Sequence, residues 1–162
     1  MLLSSVPFLR HNSDQRLVIL VVEDSDHDFV ALTRSLKQCA FTQPLYRVSN
    51  GEEALDYLHR RGDYGDPIAA PRPTLILVDL NLPGMDGREV IRQVKQDDAL
   101  KHIPVIALTS SANAKDIELC YRYGANSYML KPIGVELFQA NVRTLLQYWF
   151  HSSVLPENEP PL

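Results

Sequence analysis

Polar residues suited to ion binding or group transfer follow four of the five apolar runs in the sequence. Glu23 and Asp24 follow the first run, Asp79 the third, Thr109 the fourth and Lys131 the fifth. If the runs are parallel strands, their carboxyl ends meet at one edge of a sheet, where open α/β folds bind ligands. Each residue alone fits a helix cap or a turn. Their shared position favours a single site.

The charges of this set favour a bound divalent cation. Three carboxylates and one ammonium group leave a net charge of −2, and carboxylates so close repel each other unless a cation intervenes. Because the ligands are oxygen atoms, Mg²⁺ suits the site better than a softer metal. A carboxylate beside Mg²⁺, a lysine and a hydroxyl is arranged to attack a phosphoryl group in line.

The elements that position these residues alternate along the chain. The five apolar runs lie at 17–22, 45–48, 75–78, 105–108 and 127–130. Segments with apolar residues at spacings of three and four separate them, and the last such segment covers 134–150. This alternation predicts an α/β domain with a parallel sheet and crossover helices.

We place the domain at 16–150, between an N-terminal extension at 1–15 and a C-terminal tail at 151–162. The segment 62–73 holds two glycines and three prolines. It is therefore predicted to be a surface loop, neither helix nor central strand.

Composition excludes several classes of protein. The chain has 162 residues, 45% of them hydrophobic, and a net charge of −4, which is unlike a nucleic-acid-binding surface rich in Lys and Arg. No apolar run approaches the roughly 20 residues that cross a membrane, and no basic region marks a signal peptide. Cys39 and Cys120 stand alone, which fits a reducing cytoplasm. We expect a cytoplasmic protein that binds neither nucleic acid nor membrane.

Other site signatures are missing or incomplete. The segment 79–90 fails as an EF-hand loop because Pro83 and Val90 occupy positions that require oxygen ligands. The sequence contains no GxGxxG, GxxxxGK[ST], HExxH or GxSxG motif. Asn81 stands where phosphatases of the haloacid dehalogenase type carry a second aspartate, which weakens a phosphatase interpretation.

The ordered motifs resemble those of a known family. Glu23-Asp24, then DLNLPGMDG at 79–87, Thr109-Ser110 and Lys131-Pro132 resemble the full signature of a two-component response-regulator receiver domain. The longer motif DLNLPGMDGREV, the long loop before the third strand and QYWF at 147–150 are similar to single-domain response regulators that partner bacterial, cyanobacterial-type phytochrome histidine kinases. The resemblance implies a flavodoxin-like (βα)5 three-layer sandwich with a parallel sheet of order 2-1-3-4-5.

The resemblance also implies a role for each acidic residue. Asp79 would accept the phosphoryl group. Mg²⁺, for which Mn²⁺ can substitute, would be held by Asp24, by Glu23 through water, by Asp79 and by the backbone carbonyl of Asn81.

Three further residues have roles implied by the resemblance. Lys131 would pair with the phosphoryl group, and its bond to Pro132 would be cis, as is typical of the family. Thr109 would hydrogen-bond the phosphoryl oxygens, and Tyr128 would be the aromatic residue that moves on switching.

The function implied is that of a phospho-acceptor and not an enzyme. A histidine kinase, of phytochrome type, would supply the phosphoryl group. No DNA-binding or catalytic module is recognisable after residue 150, so we expect signalling through protein–protein contacts. Two alternatives stay open: a pseudo-receiver that docks without phosphorylation, and a metal-dependent phosphatase of small phosphoesters.

The last helical segment predicts a second surface. Its core stripe is predicted to contain Val135, Phe138, Val142, Leu145, Leu146 and Trp149. Leu137 and Tyr148 fall on another line, and Phe150 and Leu155 add apolar surface nearby. Isolated apolar residues are common on protein surfaces, but aromatic residues of this kind are enriched at interfaces. We expect a symmetric homodimer through the last helix, contacted by these four residues.

Overall fold

A five-stranded parallel sheet forms the centre of the molecule. The structure is a computed structural model and describes residues 17–156; the extension predicted at 1–15 and most of the predicted tail lie outside this range. The strands are β1 (Ile19–Val22), β2 (Leu45–Val48), β3 (Leu75–Val78), β4 (Val105–Thr109) and β5 (Ser127–Leu130). Their order is β2-β1-β3-β4-β5, which confirms the predicted topology.

Helices cover both faces of this sheet. They are α1 (Asp26–Gln38), α2 (Gly51–Leu58), α3 (Gly87–Gln96), α4 (Ala114–Arg122) and α5 (Val135–Leu146). Helices α1 and α5 pack on one face, and α2, α3 and α4 on the other, which confirms the three-layer sandwich. Within 17–156, each helix falls short of the length and apolar character that crossing a bilayer requires.

The two layers of core arise from the alternation of side chains along each strand. In β1, Ile19 and Val21 face α1 and α5, whereas Leu20 and Val22 face the opposite layer. All four side chains are buried. Burial on both faces explains why the central strands have unbroken apolar sequences instead of an apolar–polar alternation.

Side-chain caps start four of the helices shortly after the strands. Ser25, Asn50, Asp86 and Asn113 each accept a hydrogen bond from a backbone N–H two or three residues later. Asp86 accepts from the N–H of Arg88 at 2.8 Å, as its sequence context predicts. These caps satisfy N–H groups that the first helical turn leaves without partners.

The last helix differs from the prediction. Helix α5 ends at Leu146 and a π-helix continues over Gln147–Ser152. In a π-helix each hydrogen bond joins residue i to residue i+5, so each turn contains more residues than a turn of α-helix. The side chain that points back to the core therefore comes one residue later. Phe150 is accordingly buried and Trp149 only half-buried. Val135, predicted in the core, is instead 72% exposed in the first turn.

This shift corrects two of the four predicted dimer contacts. Phe150 is only 8% exposed, and its ring centroid lies 5.6 Å from that of Phe41. Leu155 is half-buried against the same core layer. Leu137 and Tyr148 are 58% and 56% exposed. Leu137 and Tyr148 are therefore the exposed members of the predicted set, and the homodimer itself stays a prediction.

The segment 62–73 is more ordered than a plain loop. It begins with a 3-10 turn at Gly62–Tyr64, so the prediction of no helix was wrong over these residues. The Tyr57 hydroxyl donates to the carbonyl of Pro71 at 2.9 Å, and the Arg72 guanidinium donates to the carbonyl of Leu58 at 2.8 Å. These two hydrogen bonds attach the proline-rich end of the segment to the end of helix α2.

Candidate functional site

The carboxyl edge of the sheet brings the predicted charged residues together. Val22 and Val78 are register partners in β1 and β3, so the residues that follow them, Glu23 and Asp79, leave the sheet side by side. The N–H of Asp79 donates to the carbonyl of Val22 at 3.0 Å. Strand β5 delivers Lys131 to the same edge, where its side chain reaches both carboxylates.

The ammonium group of Lys131 is the centre of the cluster. Its Nζ lies 2.5 Å from Oε2 of Glu23, 2.9 Å from Oδ2 of Asp79 and 2.9 Å from Oδ2 of Asp28. The lysine side chain is only 12% exposed. Three carboxylates and one ammonium therefore share a small, largely buried volume with a net charge of −2.

This crowding changes the proton affinity of the groups. Burial raises the pKa of the Glu23 carboxyl, and the hydrogen bond from Lys131 opposes that rise only in part. Burial works against the charge of Lys131, but hydrogen bonds to Glu23, Asp28 and Asp79 outweigh it and raise the pKa of the ammonium group. Lys131 is therefore held protonated, and additional positive charge at the site would favour the ionised form of the buried Glu23 carboxyl.

The third carboxylate belongs to Asp28 and not to Asp24. The sequence presents Asp28 only as the residue three after Ser25, whose Oγ does accept its N–H at 3.2 Å. Its side chain, however, turns toward Lys131. The side chain of Asp24 is exposed and lies outside the cluster. The role of Asp24 as a metal ligand therefore stays a prediction.

The three carboxylates satisfy the chemical requirements of a metal site. Among residues 17–156, Glu23, Asp28 and Asp79 each offer an oxygen atom, and these atoms lie within 4.8 Å of one another. The set consists of hard oxygen donors with an excess negative charge, which matches a hard divalent cation. The residues present therefore fit such an ion.

Asp79 is held at both carboxylate oxygens. Its Oδ2 faces Lys131, and its Oδ1 accepts the backbone N–H of Asn81 at 3.2 Å. Asp79 is largely buried, with 9% of its surface exposed. These contacts orient the carboxylate at the edge of the sheet. The predicted use of the Asn81 carbonyl as a metal ligand is not tested by these contacts.

Arg47 is a residue that the sequence analysis missed. From β2, its guanidinium donates to the carbonyls of Glu23 and Asp24 at 2.9 and 3.1 Å, and to Asp26 at 2.7 Å. It also lies 4.7 Å over the ring of Phe29. The bonds to the two carbonyls fix the backbone of the acidic pair. The signal in the sequence, one arginine in a short strand, is too weak to reveal the role.

Lys131 is oriented by its own backbone as well. Its N–H donates to the carbonyl of Thr109 at 2.8 Å, which places the two predicted residues at neighbouring strand ends.

The peptide bond between Lys131 and Pro132 is trans, because no cis bond occurs within 17–156. The cis bond expected from the family is thus wrong here, and trans is the form that X–Pro bonds ordinarily prefer.

A chain of hydrogen bonds connects the predicted switch residue Tyr128 to the start of α3. The Tyr128 hydroxyl donates to the carbonyl of Ser111 at 2.7 Å, and the Ser111 hydroxyl donates to Asp116 at 2.6 Å. Arg88 then bridges Asp116 at 2.8 Å and Asp86 at 2.7 Å. This series of hydrogen bonds joins the loops that follow β3 and β4 and the helices α3 and α4.

Thr109 lies at the beginning of the same loop. It is fully buried, and its Oγ1 accepts the N–H of Ser111 at 3.3 Å. A displacement of Thr109 would therefore act on Ser111, and through it on Tyr128 and Asp116. The roles of Thr109 and Tyr128 in switching stay predictions.

Comparisons with known proteins identify this arrangement. Residues 19–143 match the response regulator receiver domain family. The response regulator Rcp1 of Synechocystis sp. is 37% identical over 139 residues, which are 86% of this chain and 92% of Rcp1.

Solved structures agree. The phosphorylated cyanobacterial phytochrome response regulator RcpA superposes with a TM-score of 0.82 at 35% identity, over 88% of this chain and 99% of RcpA. The Mn²⁺-bound form of Rcp1 gives a TM-score of 0.79 at 37% identity, over 86% and 99% of the two chains. Sequence, topology and site geometry lead to one conclusion: the chain belongs to the response regulator receiver domain family.

Proposed function

We propose that the protein is a receiver-only response regulator that accepts a phosphoryl group on Asp79 in a Mg²⁺-dependent reaction. The observation that carries this proposal is the position of Asp79. Its carboxylate lies between the ammonium of Lys131 and the N–H of Asn81 at 2.9 and 3.2 Å, and its side chain keeps 10% of its exposure. The chain covers 92% of Rcp1 and 99% of RcpA, which supports a function of the same kind.

The reaction is a phosphoryl transfer to a carboxylate oxygen. An oxygen of Asp79 attacks phosphorus in line, an O–P bond forms, and the bond between phosphorus and the leaving group of the donor breaks. The leaving group is the imidazole nitrogen of a phosphohistidine, or acetate when acetyl phosphate is the donor. Lys131 stays protonated and neutralises charge on the equatorial oxygens.

Glu23, Asp24, Asp79 and the Asn81 carbonyl would hold Mg²⁺, and Mn²⁺ is the substitute expected for it. The bound cation supplies Lewis-acid neutralisation of the phosphoryl oxygens. Mn²⁺ in the crystal structure of Rcp1 supports a divalent site in this family. In this chain the support comes from Glu23 and Asp79, whose carboxylate oxygens lie within 4.8 Å of each other.

Phosphorylation is tested with a small donor. Wild type incubated with acetyl phosphate and Mg²⁺ should gain one phosphoryl group by intact-protein mass spectrometry, and Asp79→Asn should gain none. Beryllofluoride, which mimics the phosphoryl group, should bind wild type alone. Equal modification of Asp79→Asn would refute the assignment. An unmodified wild type would instead favour the alternative of a docking module that works without phosphorylation.

Switching depends on the residues that contact the phosphoryl oxygens. Thr109→Ala and Lys131→Ala keep the nucleophile but remove the groups that detect its phosphorylation, so the modified variants should not reach the active state. The state is followed through the ring resonances of Tyr128. If both variants shift these resonances as wild type does, the proposed coupling is wrong.

The partner we propose is a sensor histidine kinase of phytochrome type. RcpA is a cyanobacterial phytochrome response regulator, and this chain resembles it across nearly its whole length. A purified phytochrome kinase, labelled with radioactive phosphate, should transfer the label to wild type within seconds to minutes. A kinase without a photosensory module serves as control, and faster transfer from that control would contradict the choice.

Self-association is the last part of the proposal. Leu137 and Tyr148 are exposed on the outer side of the last helix, and burying them against a second copy would remove apolar surface from water. Leu137→Glu with Tyr148→Glu should give a folded monomer by sedimentation. Val30→Glu, at a 50% exposed position of α1, is the control. A wild type that stays monomeric at high micromolar concentration in both phosphorylation states would refute the dimer.

A further inference from the structure

The ammonium group of Lys131 has no hydrogen-bond donor to spare. A lysine carries three N–H donors and no acceptor. Three carboxylates lie within 2.9 Å of its Nζ: Glu23, Asp28 and Asp79. A phosphoryl oxygen that arrives at Asp79 can bind Lys131 only if one of these partners leaves.

The three partners differ in how readily they can be released. The side chains of Glu23 and Asp79 are 5% and 10% exposed, whereas that of Asp28 is 37% exposed. Removing the partner of a buried charge is strongly unfavourable, because water cannot replace the lost contact. Asp28 can exchange Lys131 for water at much lower cost, and Asp79 is itself the acceptor.

The position of Asp28 in its helix also stabilises the released state. It is the third residue of α1, and its N–H stays bonded to Oγ of Ser25. A carboxylate in the first turn is stabilised by the positive end of the helix dipole. His27, whose Nδ1 lies 3.3 Å from Oδ1 of Asp28, gives it a further partner.

We propose that Asp28 is a positioning residue that occupies the third donor of Lys131 until a phosphoryl group displaces it. This inference rests on the proposed phosphorylation of Asp79 and adds a control on it. Asp28 holds the lysine within the cluster in the resting protein. It also competes with the incoming phosphoryl oxygens, and so slows modification by anionic donors.

The test is the rate of phosphorylation by acetyl phosphate at saturating Mg²⁺. Asp28→Asn keeps the shape of the side chain but removes the competing charge, so the rate should rise about twofold to fivefold, the size of one partly exposed ion pair. Asp28→Glu, which restores the charge, should return the rate toward that of wild type. A merely structural role would predict a slower reaction and not a faster one.

A matched control lies two residues earlier. Asp26→Asn removes the same charge from the same helical turn, but its side chain is 92% exposed and contacts Arg47 instead of Lys131. Its rate should equal that of wild type. An unchanged or slower rate for Asp28→Asn would overturn the inference. A large loss of Mg²⁺ affinity in Asp28→Asn would also overturn it, because Asp28 would then be a metal ligand.

A second measurement separates this inference from the proposed function. In the resting protein, nitrogen-15 NMR of lysine follows the exchange of the Lys131 ammonium hydrogens with water. The exchange should be faster in Asp28→Asn than in wild type or Asp26→Asn. Equal exchange would overturn the role of Asp28 even if Asp79 is phosphorylated. If wild type resists all phosphoryl donors, the proposed function fails, and this exchange still decides whether Asp28 holds Lys131.

Discussion

Gly87 offers a sharp test of how the fold positions the acceptor. A Cβ atom at residue 87 would lie 2.0 Å from the carbonyl oxygen of Asp79, 2.7 Å from Cα of Leu80 and 2.9 Å from the carbonyl carbon of Asp79. The first distance falls about 1.4 Å short of the 3.4 Å at which ordinary contact begins. All three neighbours are backbone atoms, so no rotamer change relieves the clash.

Gly87→Ala must therefore move the end of β3 away from the start of α3. Inserting extra atoms into a well-packed core of side chains costs roughly 1–3 kcal/mol of stability and occasionally more. A clash between two backbone segments should cost an amount near the upper end of this range. We expect the free energy of unfolding to fall by about 3 kcal/mol. For a domain of this size that lowers the melting temperature by roughly 6–12 °C.

The same displacement should slow the phosphorylation of Asp79. A misplacement of about 1 Å can reduce a rate about 100-fold, so phosphorylation of Asp79 in the surviving folded protein should slow by that order. Urea unfolding and acetyl phosphate kinetics measure the two effects. Gly65→Ala is the control, because Gly65 has φ −67° and ψ −21°, and its nearest contact would be at 3.5 Å. It should change stability by less than about 1 kcal/mol.

Two results would refute this reasoning. One is a Gly87→Ala protein within about 0.5 kcal/mol of wild type in stability, a difference typical of uninvolved surface sites. The other is a destabilised variant that is phosphorylated at the wild-type rate. The first would mean that the two segments separate freely, and the second that the position of Asp79 does not depend on them.

Two further predictions concern the core. Phe150→Ala should lower the free energy of unfolding by about 3 kcal/mol, because the ring packs on Phe41. Tyr148 is exposed, so Tyr148→Ala should change the free energy of unfolding by less than about 1 kcal/mol in the same urea titration. Equal losses would contradict the assignment of the π-helix. Burial raises the pKa of the Cys120 thiol to about 11, so iodoacetamide at pH 8 should modify Cys39 and spare Cys120 by peptide mass spectrometry. As the pH rises, the unfolded chain loses the Cys120 proton at a lower pH than the folded protein does, so the contribution of Cys120 to stability should decline between pH 9.0 and about 11. Rapid modification of Cys120 in the native protein would disprove its burial.

The sequence by itself determined the class of fold and most of the site. Apolar runs with a charged or hydroxyl residue directly after them predicted β1, β3, β4 and β5, and parallel strands leave no other place for those residues than one edge. The convergence of these residues could therefore be predicted from their order alone, and the resemblance to receiver domains then implied the roles of Asp79 and Lys131. Capping preferences are equally local, as the cap of Asp86 at the start of α3 illustrates.

The tertiary structure decided which carboxylates meet. Asp24 and Asp28 both follow β1, and the sequence favoured Asp24 because it adjoins the strand. In the folded chain Asp28 reaches Lys131, which is 103 residues away, whereas Asp24 is exposed. The choice depends on how α1 is placed over the end of β1 and on side-chain direction, neither of which a local pattern contains.

The end of the chain shows the same limit. A wheel of 100° per residue assumes an α-helix throughout, so it assigned Phe150 to the surface and Trp149 to the core. The π-helix over Gln147–Ser152 instead buries Phe150 against Phe41 and leaves Trp149 half-buried. Local periodicity determines which elements form. Contacts between residues distant in the chain determine which side chains those elements finally bring together.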